Sequence, residues 1–265
     1  MAELSQPTTF RDVDDADLAR LVAMMAATDA WPAVRAARSW VIERAGSPGR
    51  TLDVGCGPGT FSSMLGAASS AEVPFSVDLD RSSSMLRAAR RRRPDARPVV
   101  GDVSELPLAD GRFDLVHAER VLQWVERPAR ALSELWRAVA PGGVLAVTDT
   151  DWSTFSVDHP DPAAAARLAA AAQAWVPWST FARTVARRLG ALGATEVEVR
   201  ADAVVIATWD PDGAGEVDGP PGLPLRAIAA AGAETCSGDV DDLARLARSG
   251  HFLATLTLVT TVARR

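Results

Sequence analysis

Three glycines alternate at Gly55, Gly57 and Gly59 in the stretch TLDVGCGPGTF, with Asp53 two residues ahead of the first. Glycine gives a chain the left-handed turns and bare backbone that let it come close to a ligand. Further carboxylates stand at the ends of later apolar runs: Asp78 and Asp80 in SVDLD, and Asp102 in GDV. His117 closes the run FDLVH. Carboxylates at such positions can accept hydrogen bonds from hydroxyls or balance a cation. A phosphate loop needs a lysine after its glycines, and a dinucleotide fold wants G-x-G-x-x-G, whose third glycine falls here on Thr60. All 28 basic residues are arginine and there is no tyrosine, so this chain has no lysine Schiff base, no Walker lysine and no tyrosine acid or base.

Charge narrows the ligand further. A buried carboxylate beside a pyrophosphate repels it, whereas beside a cation it helps. S-adenosylmethionine carries an ammonium and a sulfonium and no phosphate, and it suits Asp53 next to a glycine turn. Nicotinamide-dependent hydride transfer stays open as a rival use of the same turn.

The motif LDVGCGPGTF resembles the first motif of class I S-adenosylmethionine-dependent methyltransferases. VDLD, GDV, FDLVHAERVLQWV and LWRAVAPGGVLAVTD resemble later segments of that family, in the family's order. The resemblance covers about residues 50–150. FRDVD near the start and DTDW after the fifth strand resemble a subgroup, and the whole looks like the small-molecule, ubiquinone/menaquinone-biosynthesis-like group. It implies a cofactor site of Asp53, Gly55, Cys56, Gly57, Gly59, Asp78, Leu79, Asp102, Val103 and His117. In it Asp78 takes the ribose hydroxyls, Asp102 the adenine amino group and the Val103 N–H the ring. Cys56 reads as a small spacer in the turn, and Asp80 as a cap or loop acid. His117 is the candidate general base as well as a cofactor contact, ahead of His159; His251 reads as structural. Trp124, Trp152, Trp175 and Trp178 are candidates to line an acceptor pocket, and Trp136 to sit in the core.

These residues need elements to place them. Apolar spacing predicts helix over 12–45, interrupted at Trp31-Pro32 and ended by the Gly46–Gly49 turn. Strands and helices then alternate: strands over 51–54, 74–77, 97–100, 112–117 and 144–149, helices over 60–65, 82–92 and 129–139. Such alternation means a parallel sheet covered on both faces. Helices over 162–175 and 181–192, a strand over 195–208, a loop over 209–222, helices near 225–231 and 240–249 and a strand over 251–262 complete the pattern. The expected fold is α/β: a doubly wound, seven-stranded, mostly parallel sheet of Rossmann-like methyltransferase type, with N-terminal helices and a helical insertion before the last strand. Residues 1–48 read as a helical cover and 49–265 as the S-adenosylmethionine-binding domain, with 209–250 inserted.

The 265 residues are 48% hydrophobic, enough for one large core. The net charge of −6 disfavours nucleic acid as a partner. The basic run Arg90–Arg93 fits a solvated helix end, where cations suit the dipole. No apolar run is long enough for a membrane span. A polar, acidic start and two cysteines point to the cytoplasm, and two cysteines with three histidines make a structural metal improbable. The expected partner is a small-molecule acceptor, with methyl transfer as the reaction; a cofactor-binding protein that steers a non-methylating reaction or a partner interaction is the alternative.

Overall fold

A computed structural model describes residues 18–68, 75–213, 219–232 and 236–265. The FRDVD segment, residues 12–17 of the first expected helix, Pro74 and residues 214–218 of the expected loop lie outside them. The N-terminal run divides at Trp31 into α1 (Leu18–Asp29) and α2 (Pro32–Ala45), because Pro32 occupies the first turn of a new helix and cannot continue the old one. Alternation follows: β1 (Arg50–Val54), α3 (Thr60–Ala68), β2 (Phe75–Asp80), α4 (Ser83–Arg92), β3 (Arg97–Val100), β4 (Phe113–Glu119), α5 (Pro128–Ala138) and β5 (Val139–Val157). Then come α6 (Pro162–Trp175), a 3-10 turn (Phe181–Thr184), α7 (Val185–Ala191), β6 (Thr195–Ile206), α8 (Leu225–Ala230), α9 (Ser237–Arg248) and β7 (Ala254–Arg264).

The seven strands form one sheet in the order β3-β2-β1-β4-β5-β7-β6. The first five are parallel, and β7 runs antiparallel to both β5 and β6. Strand order reverses between β1 and β4, and open α/β sheets hold ligands in the crevice at the carboxyl ends there. Local chemistry fixes the helix starts: the Ser82 hydroxyl caps α4 by accepting from Met85 N at 3.0 Å, and the Asp161 carboxylate accepts from Ala163 N ahead of Pro162 in α6.

Alternation along the strands sorts two faces. Leu52, Val54, Val116 and Ala118 pack with Leu132, Leu135 and Trp136 of α5. Leu115, Val144 and Ala146 pack with Val41 of α2 and with Phe61 and Leu65 of α3. A third cluster joins Ala33, Val34 and Ala37 of α2 to Leu168 of α6, Ile228 of α8 and Leu243 of α9 over the far ends of β5 and β7. Among the described residues no helix is long and apolar enough to cross a membrane. Arg90–Arg92 are exposed as expected, but Arg93 is buried, donating to the Ser62 carbonyl and pairing with Asp95 at 2.7 Å.

Three strands run further than their apolar cores. β2 extends to Asp80 where Val77 was the expected end, β4 to Glu119 where His117 was, and β5 to Val157 where Asp149 was. Polar residues continue the ladder because neighbouring strands supply backbone partners on both sides. A residue taken as a strand end therefore lies two to eight positions inside it.

Candidate cofactor and acceptor site

The glycine turn follows β1. Leu79 O, on the neighbouring strand, accepts from both Gly55 N at 2.7 Å and Cys56 N at 3.1 Å. Gly55 has φ 64°, and a Cβ there would lie 2.3 Å from Val121 Cγ2. At Gly59, with φ 74°, a Cβ would lie 2.9 Å from Ala89 Cβ, which is how closely α4 packs on the turn. The alternating glycines are thus fixed by backbone conformation and by contact.

A cavity of about 210 Å³ opens beside this turn. Asp53, Gly55, Cys56, Gly57, Leu79, Val103 and His117, all expected at a cofactor site, line it together. Gly59 supports the wall from behind, against Ala89. Asp78 and Asp102 are placed elsewhere. Asp78 is buried within β2 and accepts from Ser62 Oγ at 2.6 Å, while Asp80 lines the cavity in its stead. The Asp80 oxygens accept from Gly57 N and Ser82 N, each at 2.9 Å, so one carboxylate ties the turn to the start of α4. Asp80 is thus a loop acid just ahead of the Ser82 cap, and it lines the cavity where Asp78 does not. Asp102 is exposed in an adjoining cleft, accepting from Ser104 N at 2.7 Å and facing Arg81 at 3.8 Å.

Burial sets the acidities. It raises the Asp78 carboxyl, with the Asp53 charge adding, to about 6 against the Ser62 hydroxyl. Burial likewise raises Asp80 and pushes the Cys56 thiol well up, keeping it a neutral spacer. His117 is 1% exposed, its Nδ1 2.8 Å from Asp53 Oδ1, and Phe61 stacks on the ring at 3.5 Å between centroids. In the tautomer that donates Nδ1–H to the carboxylate Nε2 is an acceptor, and that atom has no partner among the described residues. His159 lies outside the cavity wall, its Nδ1 accepting from Asp161 N; His251 is exposed.

Above the turn, α1 and α2 close the cavity with Met24, Met25, Trp31 and a charged lock. Arg38 donates to both Glu119 oxygens at 2.8 Å and to Asp29 Oδ1 at 2.6 Å. Arg120 joins it through Asp29, Glu119 and Thr28, from a backbone at φ 58° that a non-glycine residue rarely adopts. Burial alone would raise Glu119, but the Arg120 and Arg38 charges overcome it and hold the carboxyl down at about 2. Asp29 Oδ2 stays buried without a partner. Sequence patterns did not reveal this lock, because its members come from α1, α2 and the end of β4.

The other end of the cavity is aromatic. Trp124 and Trp152 meet Trp175 edge to face, at 5.1 and 5.3 Å between centroids. Gln123 Oε1 holds this wall by accepting from Thr150 N and Trp152 Nε1, both at 3.2 Å. Trp178 is 42% exposed and lies outside it, and Trp136 is buried against α7's end as expected of a core residue.

The cradle fits S-adenosylmethionine on its own chemistry. Carboxylates of Asp29, Asp53 and Asp80 suit ammonium, sulfonium and ribose hydroxyls, and the turn leaves backbone room that a Cβ would fill. Residues 52–147 match the family described as a methyltransferase domain. Among curated relatives, a malonyl-[acyl-carrier protein] O-methyltransferase of Methylococcus capsulatus is 44% identical over 102 residues, 37% of this chain and 36% of that protein. A demethylmenaquinone methyltransferase of Renibacterium salmoninarum is 41% identical over 120 residues, covering 44% and 49% of the two chains. The matched stretch thus spans half or less of these relatives. The solved YcgJ protein from Bacillus subtilis shares the fold, with a TM-score of 0.60 at 13% identity over 87% of this chain and 98% of that one.

Proposed function

We propose that this chain transfers a methyl group from S-adenosylmethionine to a small-molecule acceptor, in secondary or quinone-like metabolism. One observation carries the reading: a single cavity runs from the glycine turn with Asp53 and Asp80 to the Trp124, Trp152 and Trp175 wall. In this reading residues 1–48 act as cover and 49–265 as the binding domain, with 209–250 inserted. Its support is that α1 and the 219–224 stretch both contribute wall residues, and that a Cβ on Gly222 would lie 2.9 Å from Trp31.

When bound, S-adenosylmethionine would supply a sulfonium methyl group as the electrophile for the acceptor's lone pair. The residues of this chain bind, orient and exclude water. Asp80 holds the ribose, Val103 and the exposed Asp102 edge the adenine, and Asp29 and Asp53 balance positive charge. Gly55, Cys56, Gly57 and Leu79 shape the turn. His117, held by Asp53 and roofed by Phe61, contacts the cofactor end. Its unpartnered Nε2 supports the second role of base, which a hydroxyl or protonated amine acceptor needs and a thiolate does not.

Incubation with methyl-labelled S-adenosylmethionine and a panel of phenolic, quinol, carboxylate and thiol acceptors tests the reading. Label should move to one class in a cofactor-dependent manner. Tight binding of S-adenosylhomocysteine with no transfer to any class would favour the non-methylating alternative.

A further inference from the structure

The aromatic end of the cavity carries two observations that select an acceptor. Indole N–H groups of buried tryptophans almost always find a partner. Trp152 gives its N–H to Gln123, but Trp175 Nε1 is buried with no partner among the described residues, in a ring that lines the cavity. An indole nitrogen donates and cannot accept, so its missing partner is a lone pair. The second observation is charge. Among the described residues the three arginines on the wall are each in an ion pair, Arg38 and Arg120 with Asp29 and Glu119, and Arg81 with Asp102, and none of these three is left over for a carboxylate or phosphate on the acceptor.

We propose that Trp175 and its two edge-on neighbours form the acceptor subsite, and that it takes an uncharged, flat aromatic compound whose oxygen receives the Trp175 indole hydrogen. The inference rests on the methyltransferase reading and names the substrate class for it. Faces of Trp124 and Trp152 set at 83° and 77° to Trp175 give a planar ring both a stacking surface and an edge. An anionic acceptor would lose its hydration in this wall without gaining a cation.

Calorimetry on the chain saturated with S-adenosylhomocysteine tests this, with 2-naphthol, 2-naphthoate and cyclohexanol as probes. The expected order is 2-naphthol first, with 2-naphthoate and cyclohexanol each at least about tenfold weaker. Trp175→Phe keeps a ring and removes the donor. It should weaken 2-naphthol by about 5- to 13-fold and leave S-adenosylhomocysteine affinity unchanged. Equal or tighter binding of 2-naphthoate, no binding of 2-naphthol, or no effect of Trp175→Phe would overturn the inference while S-adenosylhomocysteine still bound. Failure of S-adenosylhomocysteine itself to bind would instead overturn the methyltransferase reading. The comparison of probes on the unmodified chain stands even if Trp175→Phe does not fold.

Discussion

Asp78 and Asp80 sit two residues apart on the same face of β2, and only one of them reaches the cavity. Replacing each by asparagine separates their roles. Asp80 accepts two backbone hydrogens, from Gly57 and Ser82 at 2.9 Å, one on each oxygen. Asparagine offers one acceptor and an NH2 group, so one backbone N–H then meets another donor. That loss acts on the free and bound chain alike and costs about 1–3 kcal/mol of folding stability. The affinity loss comes from the ribose, which forfeits a charge-assisted bond worth about 1.5–3 kcal/mol, or about 10- to 150-fold in Kd. Asp78 is 1% exposed and bonded to Ser62, outside the cavity wall. Asp78→Asn should leave Kd within about threefold, since no ligand contact changes. Calorimetric titration with S-adenosylhomocysteine, beside thermal melts to confirm folding, reads both. An unchanged Asp80→Asn together with a tenfold or greater loss in Asp78→Asn would refute the placement of the ribose.

Four further outcomes are expected. Gly55→Ala puts a Cβ 2.3 Å from Val121 Cγ2 at a left-handed φ, and chemical denaturation should show a loss of about 1–3 kcal/mol with weakened cofactor binding; a stable variant of normal affinity contradicts this. Arg120→Ala unfastens α1 from Asp29 and Thr28, so amide exchange across Leu18–Asp29 should speed by about tenfold, and unaltered exchange would place the lock elsewhere. Burial raises Asp149 to about 8, the amides of Gln123, Leu122 and Val121 opposing only in part. The folded chain therefore holds a proton that the unfolded chain releases near about 4, and stability falls as pH rises between about 4 and 8, at up to about 1.4 kcal/mol per unit. Asp149→Asn should flatten that slope in unfolding measured from pH 5 to 8, and parallel slopes would refute it. His117→Ala should lower kcat by more than about threefold and change the pH–rate profile; turnover within about threefold of the unmodified chain would refute its role as base.

The order of strands and helices was readable because apolar runs of period two and spacings of three and four repeat from β1 onward. The glycine turn was readable because its spacing excludes the phosphate loop and the dinucleotide fingerprint at single positions. What misled was the end of each strand. Hydrophobic runs stop at Val77 and near His117, but hydrogen-bonded pairing carries β2 to Asp80 and β4 to Glu119. With side chains alternating, Asp78 and Asp80 share a face and differ in depth, and only Asp80 reaches the cavity. The lock of Arg38, Asp29, Glu119 and Arg120 left no sequence signal, since its parts meet only after α1 and α2 fold over the sheet.

A crystal structure of the chain with S-adenosylhomocysteine should show ribose hydroxyls on Asp80, the amino-acid portion over Gly55 and Gly57 near Asp53, and the sulfur facing Trp124, Trp152 and Trp175. Ribose on Asp78, or the ligand seated in the cleft of Asp102 and Arg130 with the glycine turn untouched, would contradict this placement.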